Sequence, residues 1–349
     1  MMGRSITVRW LWQALVGAAM VLGTLTLLIA LTGQPVGASY RILLQGAIGF
    51  PADPQLSPLD AWDNTLHDMT LLLLTGLSVA IALQAGLFNI GAAGQLLMGA
   101  FVAAWIGGLS NLPAAVHLPL TLVLGALAGA LWAILPAVLR VWRGAHEVIT
   151  TIMFNYLALY LTHWLVVEHL RDPAGAAPQT APVAASAHLP PLGGLMNTSW
   201  GFVLTLLLAL LLWLWLYRTV WGYELRATGA NREAADAAGI PTRRYLIVAM
   251  LLAGALAGLG GAVEVCGTQY RFFEGFPSEY GFDGIAVALM GANHPAWSVL
   301  TAFVLGALRN GTYNLHVVTG APKEIATIVQ AVLILYVAAL RLRRARLEG

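Results

Sequence analysis

Asn89, Gln95, Asn155, Glu264 and Asn293 each stand inside, or at the end of, a long apolar run. A polar side chain is costly in hydrocarbon, so each must be satisfied by a neighbour or be placed for something that passes. Amides offer both donor and acceptor, which suits the edge of a base or a sugar hydroxyl, and Phe88 or Tyr156 could stack on a planar ring. The alternative for each amide is a hydrogen bond between helices. Glu264, flanked by Val263 and Val265, either pairs with a cation such as Arg271 or Arg309 or sits at an outer mouth where desolvation matters less.

Bond-making chemistry finds no support among the same residues. His146-Glu147 opens like the HExxH zinc motif, but Thr150 stands where its second histidine would be. Cys266 is the single cysteine, which excludes an internal disulfide and a thiolate metal cage. No nucleophile and base share a suitable context, and no GxxxxGK[ST] segment is present to cradle nucleotide phosphates. The chain is therefore expected to have no catalytic residues, no metal ligands and no cofactor of its own. Glu147 reads as a favourable charge at a helix N-terminus and Asp283 as the cap of a short helix.

The elements that must position these side chains are membrane helices. Charged residues make up 10% of the 349, against about 25% in a soluble domain. Apolar runs of about 20 residues recur, enough to cross a hydrocarbon core roughly 30 Å thick. A net charge of +2 leaves no surplus cation for a nucleic-acid backbone, so the lipid bilayer is the partner that composition implies. The expectation is an all-α polytopic membrane protein forming a single domain over 1–349. Spans are expected near 11–31, 66–85, 95–109, 116–139, 147–167, 200–217, 245–265, 283–293, 296–313 and 324–341. That is about ten crossings, or eight or nine if glycine-rich pieces only dip in. The first stretch is read as an uncleaved span, because its apolar part exceeds the roughly 7–15 residues of a signal core.

Gly33 to Asp63, with Pro35, Pro51, Pro54 and Pro58, reads as an outer loop holding a short interfacial helix. Residues 168–199, rich in proline and alanine, read as a longer external loop and a docking surface for a soluble partner. The basic residues decide orientation. Arg4, Arg9, Arg140, Arg143, Arg218, Arg226, Arg232, Arg243, Arg244 and the cluster from Arg341 to Arg346 fall on one side, which places both termini in the cytoplasm.

Two segments look interrupted. Gly86 to Gly99 and Gly281 to Pro295 combine glycines with polar side chains, and paired broken helices often build sites near mid-membrane. Tight packing through glycine is the alternative. The longest basic loop, 218–244, contains Glu233-Ala234-Ala235, then Gly239 after three residues, then Ile240-Pro241. Such a short, smooth helix can lie in a groove of a partner subunit, or serve as a solvated connector.

This loop resembles the cytoplasmic coupling loop of ABC importer permeases, whose shared pattern of Glu-Ala-Ala, three residues, Gly is matched by Glu233, Ala234, Ala235 and Gly239, while the hydrophobic and proline positions farther downstream in that pattern are not matched. Three further stretches resemble the ribose and branched-chain amino acid type of permease and, within it, the nucleoside permeases. They are Gly86-Leu87-Phe88-Asn89-Ile90-Gly91 with Gly94-Gln95-Leu96-Leu97-Met98-Gly99, then Glu147-Val148-Ile149-Thr150-Thr151 with Met153, Asn155 and Tyr156, then Tyr280 to Leu289. Together they cover most of the chain, from about 66 to 341. Departures are Ala93, where relatives commonly place an acidic residue, and His146, where asparagine is frequent.

The resemblance implies a permease subunit without catalysis, paired with a second permease chain. It would be driven by a cytoplasmic ATP-binding subunit that holds the ATP and magnesium, and fed by an external substrate-binding protein. The implied substrates are nucleosides, with simple sugars and branched-chain amino acids as alternatives, and the implied location is the inner membrane. Phe88, Asn89, Gln95, Asn155, Tyr156, Glu264 and Asn293 are the candidate path residues. An ion-coupled secondary carrier is the alternative from another class.

Overall fold

The computed structural model describes residues 2–51, 57–109, 112–175 and 177–348. Pro54 and the side chains of Arg4, Arg9 and Arg341 to Arg346 lie outside the described residues. Among the described residues the regular structure is helical, with only isolated β-bridges besides. The α-helices in chain order are α1 (Met2–Leu31), α2 (Val36–Ile48), α3 (Pro58–Gln84), α4 (Ala92–Gly107), α5 (Ala114–Arg143), α6 (Glu147–Leu165) and α7 (Gly201–Arg218). There follow α8 (Val220–Ala230), α9 (Arg232–Ala237), α10 (Thr242–Glu264), α11 (Tyr280–Met290), α12 (Pro295–Thr319) and α13 (Ile325–Glu348).

Each expected span coincides with a helix. Five helices among the described residues are long and apolar enough to cross a membrane unaided: α3, α5, α6 with its π-helical extension to Leu170, α7, and α10 with its extension to Gln269. The end of α1 and α2 form a pair bent by 117°. At 16 and 11 residues, α4 and α11 fall short of about 20 residues. These two belong to the glycine-rich segments read as interrupted.

The chain forms two compact units, divided inside α3 and α12. The first comprises residues 1–65 and 304–349. Its core gathers Leu25, Ile29, Leu43, Leu315, Ile325 and Val329. Asn310 donates its amide to the carbonyls of Gly46 (2.6 Å) and Ala61 (3.1 Å), and Asn314 donates to Ile42 O (2.9 Å). The short helix expected within 33–63 is therefore α2, and it does not lie free at an interface. Gly46 brings it against Asn314, and the amides of α12 bind its backbone.

The second unit, residues 66–303, is built on α4, α5 and α10. On α5, Gly125, Gly129 and Ala133 recur every fourth residue and are buried, while Leu120, Val123, Leu127, Leu131 and Leu135 face outward. That division is what a lipid-facing helix needs, since small residues admit a neighbour's backbone and leucines meet the tails. A Cβ added at Gly129 would stand 2.2 Å from Gly254 O, and one at Gly99 would stand 2.1 Å from Gly258 O. The three helices thus meet backbone to backbone. Trp132 donates to Phe154 O at 3.0 Å and ties α6 to α5.

Candidate functional site

The first interruption is shorter than expected, occupying residues 85–91, with helix resumed at Ala92. Its geometry is set by three buried amides. Asn89 and Gln95 exchange hydrogen bonds in both directions, at 2.9 and 3.1 Å, and Asn89 Oδ1 also accepts from Gly91 N at 3.0 Å. From α6, Asn155 Oδ1 accepts from Gly94 N and its Nδ2 donates to Ile90 O, both at 2.8 Å. These amides satisfy the backbone groups that the missing helical turn leaves open. Phe88 is half-buried beside them, and Tyr156 is exposed on the outer face of α6.

The second interruption is also narrower, at Gly291 to His294, where Ala292 and Asn293 adopt left-handed backbone with φ of 53° and 58°. Gln84, at the end of α3, donates to Asn293 O at 2.8 Å and to the Tyr217 hydroxyl at 3.2 Å. The Asn293 Oδ1 atom itself is buried with no hydrogen-bond partner. Glycine brings the two interrupted regions together, since Gly281 on α11 abuts the backbone of Ala92 and Ala93, and Gly284 abuts Thr75. Asp283 does not cap α11. The helix begins three residues earlier, at Tyr280, and Asp283 lies within its first turn.

Glu264 does not pair with Arg271 or Arg309. Its carboxylate accepts from His67 at 2.8 Å and from Gln269 Nε2 at 2.8 Å, and it is 2% exposed. A carboxylate so buried requires partners that reach it, and α3 presents His67 directly. Glu147 at the start of α6 forms an ion pair with Arg140 Nε at 3.2 Å, closing the turn between α5 and α6.

At the opposite end of α6, a cavity of about 230 Å³ opens beneath the segment 272–276. Tyr160, Thr162 and His163 line it from α6, Leu97 from α4, and Phe272, Phe273 and Phe276 from that segment. Phe272 and Phe276 are stacked, with ring centroids 5.0 Å apart and planes 13° from parallel. At the rim, His163 Nδ1 meets Glu274 Oε1 at 3.2 Å. An apolar aromatic wall with one hydrogen-bonding pair at its edge is the chemistry that holds a planar ring bearing polar substituents.

The long loop positions this wall. Thr180 N donates to Phe272 O at 2.8 Å, Phe272 N donates to Thr180 Oγ1 at 3.1 Å, and Val183 N donates to Tyr270 O at 2.8 Å. Leu189 N donates to Cys266 O at 2.8 Å. Residues 177–189 therefore run along 266–274 as a folded strap. Sequence reasoning passed over the pocket. The run Arg271-Phe272-Phe273-Glu274-Gly275-Phe276, three aromatics around one carboxylate, was the signal that could have found it.

The motif Glu233-Ala234-Ala235 forms α9, capped by Asn231 Oδ1 accepting from Ala234 N at 3.0 Å. Gly239 ends it at φ 84°, a left-handed conformation that an L side chain adopts only with strain. Glu233, Ala234, Asp236 and Ala237 are exposed, while Ala235 is buried. Behind α9, α8 is seated on the first interruption, as Gly229 meets the backbone of Gln84, Ala85 and Gly86. Arg226 of α8 lies over the Tyr217 ring at 4.7 Å, and that ring in turn faces His294 at 4.8 Å. The first interruption thus touches the helix that precedes the alanine motif directly, and the second is linked to it through the Tyr217 ring of α7.

Residues 62–338 match the family described as branched-chain amino acid transport system, permease component. The chain belongs to this permease family. The permease is 38% identical over 316 residues to the guanosine ABC transporter permease protein of Bacillus subtilis, covering 89% of this chain and 88% of the relative. It is 35% identical over 275 residues to a glucose ABC transporter permease protein of Haloferax volcanii, covering 76% and 72%. It is 34% identical over 292 residues to a nucleoside ABC transporter permease protein of Lactococcus lactis, covering 79% and 78%. No solved structure matches it. The permease is an all-α, multi-pass membrane protein, and the stretches that carry its resemblance fall on the first interruption, α4, α6, α9 and α11.

Proposed function

We propose that this permease imports nucleosides through the inner membrane, with both termini in the cytoplasm. It works with a second permease chain, an ATP-binding subunit and an external substrate-binding protein. The observation that carries the substrate class is the pocket of stacked Phe272 and Phe276 with His163 and Glu274 at its rim. A base would lie against the rings, and ribose hydroxyls would exchange hydrogen bonds with the His163 and Glu274 side chains. The guanosine and nucleoside relatives support the same class.

In this reading the path descends from the pocket along the open face of α6, past Tyr156, to the first interruption. There Phe88, Asn89, Gln95 and Asn155 shape the passage, with Asn293 at the second interruption. Glu264, held by His67, fixes α3 to α10 beside it. The exposed side chains Met153, Tyr156, Tyr160 and Trp164 of α6 form the face that the second permease chain covers. Residues 218–244 receive the ATP-binding subunit, with Glu233, Ala234, Ala235 and Gly239 at the contact. Residues 168–199 face outward, toward the binding protein. ATP and magnesium belong to the partner subunit. Closure of that subunit would push α9 and α8 against both interruptions and rock the spans to open the opposite side.

The test is uptake by the reconstituted complex with Phe273→Leu and Glu274→Gln. Each should raise the KM for guanosine about tenfold, the loss expected for one charge-assisted hydrogen bond or one good ring contact, with the resting ATPase rate unchanged. Unchanged guanosine KM in both variants would remove the pocket from the path. An equal loss for glucose would favour the sugar reading suggested by the Haloferax relative.

A further inference from the structure

On another side of the same unit a second cavity, about 660 Å³ and much larger than the first, forms an open groove lined by α5, α7 and α10. Its wall is almost wholly aliphatic, with Leu208 and Leu212 on α7 facing Val248, Leu252, Leu256 and Leu259 on α10. Ala126 of α5 forms its floor. The chemistry changes only at one end. There Trp215, Trp221 and Arg244 meet at the ends of α7, α8 and α10.

Three features define the occupant. First, from Arg244 to Leu259 the groove follows α10 for fifteen residues, roughly 22 Å at 1.5 Å per residue, which is about one leaflet and the length of one acyl chain. Second, every helix lining it is a candidate membrane span except the short α8, and Leu207, Leu210, Leu211 and Leu214 beside it on α7 are exposed, so its open side faces lipid tails. Third, the single cation in its wall, Arg244, shares the interfacial end of the groove with Trp215 and Trp221, a composition that suits a headgroup phosphate. Arg244 is exposed, and Glu224, the nearby carboxylate, accepts a hydrogen bond from the Tyr245 hydroxyl.

We infer that this groove binds one anionic phospholipid, its acyl chain along α10 and its phosphate on Arg244, in the leaflet that adjoins residues 218–244. The lipid would hold α7 and α10 together just where α8 and α9 leave the membrane. Its occupancy would therefore stiffen the base on which α9 rests.

The test uses the purified chain in mild detergent, titrated with phosphatidylglycerol or phosphatidylcholine brominated in the acyl chain, with tryptophan quenching as readout. Saturable quenching is expected, about fivefold tighter for phosphatidylglycerol than for phosphatidylcholine, the preference that one basic residue near a headgroup supplies. Arg244→Gln should abolish the preference. The Trp215→Phe/Trp221→Phe double variant, which leaves the groove open, should lose the saturable component. Ala255→Leu should block it by filling the groove. Equal quenching by both lipids with no effect of Arg244→Gln would overturn the inference. So would a saturable signal that survives the double tryptophan variant. A purified chain that is dimeric, with the groove closed to both lipids, would assign the surface to a second copy and also overturn it.

Discussion

Gly99 offers the clearest quantitative test of how the helices of the second unit meet. It lies on α4 opposite Gly258 of α10, and a methyl placed there would stand 2.1 Å from Gly258 O and 2.4 Å from Gly258 Cα. Ordinary contact begins at 3.4 Å, so the two backbones would have to separate by more than an ångström. Neither can yield cheaply, because Gly258 also meets α5, where its own added Cβ would lie 2.6 Å from Gly125 O. Overpacking a close-packed site costs about 1–3 kcal/mol, and a clash of backbone with backbone belongs at the upper end. Gly99→Ala should therefore lose about 3 kcal/mol, lowering the midpoint of thermal unfolding by roughly 5–10 °C at the sensitivity of a domain this size. The control is Gly23→Ala on α1, where nothing lies within 4 Å; it should be neutral or gain up to about 1 kcal/mol from helix propensity. Tryptophan fluorescence on heating in mild detergent reads both. If the two variants melt together, the backbone contact of α4 and α10 is wrong.

His67→Ala should cost about 3–5 kcal/mol, because the buried Glu264 carboxylate loses its partner; the same melting assay measures it. Thr180→Val removes the acceptor for Phe272 N and should raise the KM for substrate by about fivefold and lower stability by about 1–3 kcal/mol, the cost of a buried donor left unpaired, read by uptake and melting together. Gly239→Asp forces a side chain into left-handed backbone and adds charge to the exposed end of α9. Uptake should fall at least tenfold with the protein still in the membrane, whereas normal transport would count strongly against a coupling role. Tyr217→Leu breaks the stack between Arg226 and His294 and should lower uptake per ATP hydrolysed, as measured by parallel flux and phosphate release.

The sequence displayed its helices readily because each crossing must satisfy every backbone group internally, so length and apolarity mark it. Interruption was legible for the same reason, since Gly86 to Gly91 could not stay helical at little cost. How the buried amides are used was not legible. Asn89, Gln95 and Asn155 carry equal capacity for substrate and for backbone, and only the fold reveals that Gly91 N, Gly94 N and Ile90 O need them. Glu264 was expected to pair with an arginine or to sit at an outer mouth, yet spacing along one helix says nothing of which residue a distant helix presents. The pocket stayed hidden because its parts are about a hundred residues apart, with Tyr160 and His163 on α6 and the phenylalanines beyond α10. The strap from 177 to 189 read only as an external loop because its hydrogen bonds go to another segment and leave no periodicity in its own.

ATP-dependent uptake by the complete complex tests the central proposal most directly. The permease, purified with whatever subunits remain bound, is reconstituted into vesicles and supplied with its binding protein and labelled guanosine, glucose or leucine. Guanosine should accumulate only with ATP, an uncoupler should have no effect while ATP is maintained, and unlabelled nucleosides should compete where sugars and amino acids do not. Accumulation driven by an ion gradient without ATP, or uptake of glucose or leucine in preference to guanosine, would contradict that proposal.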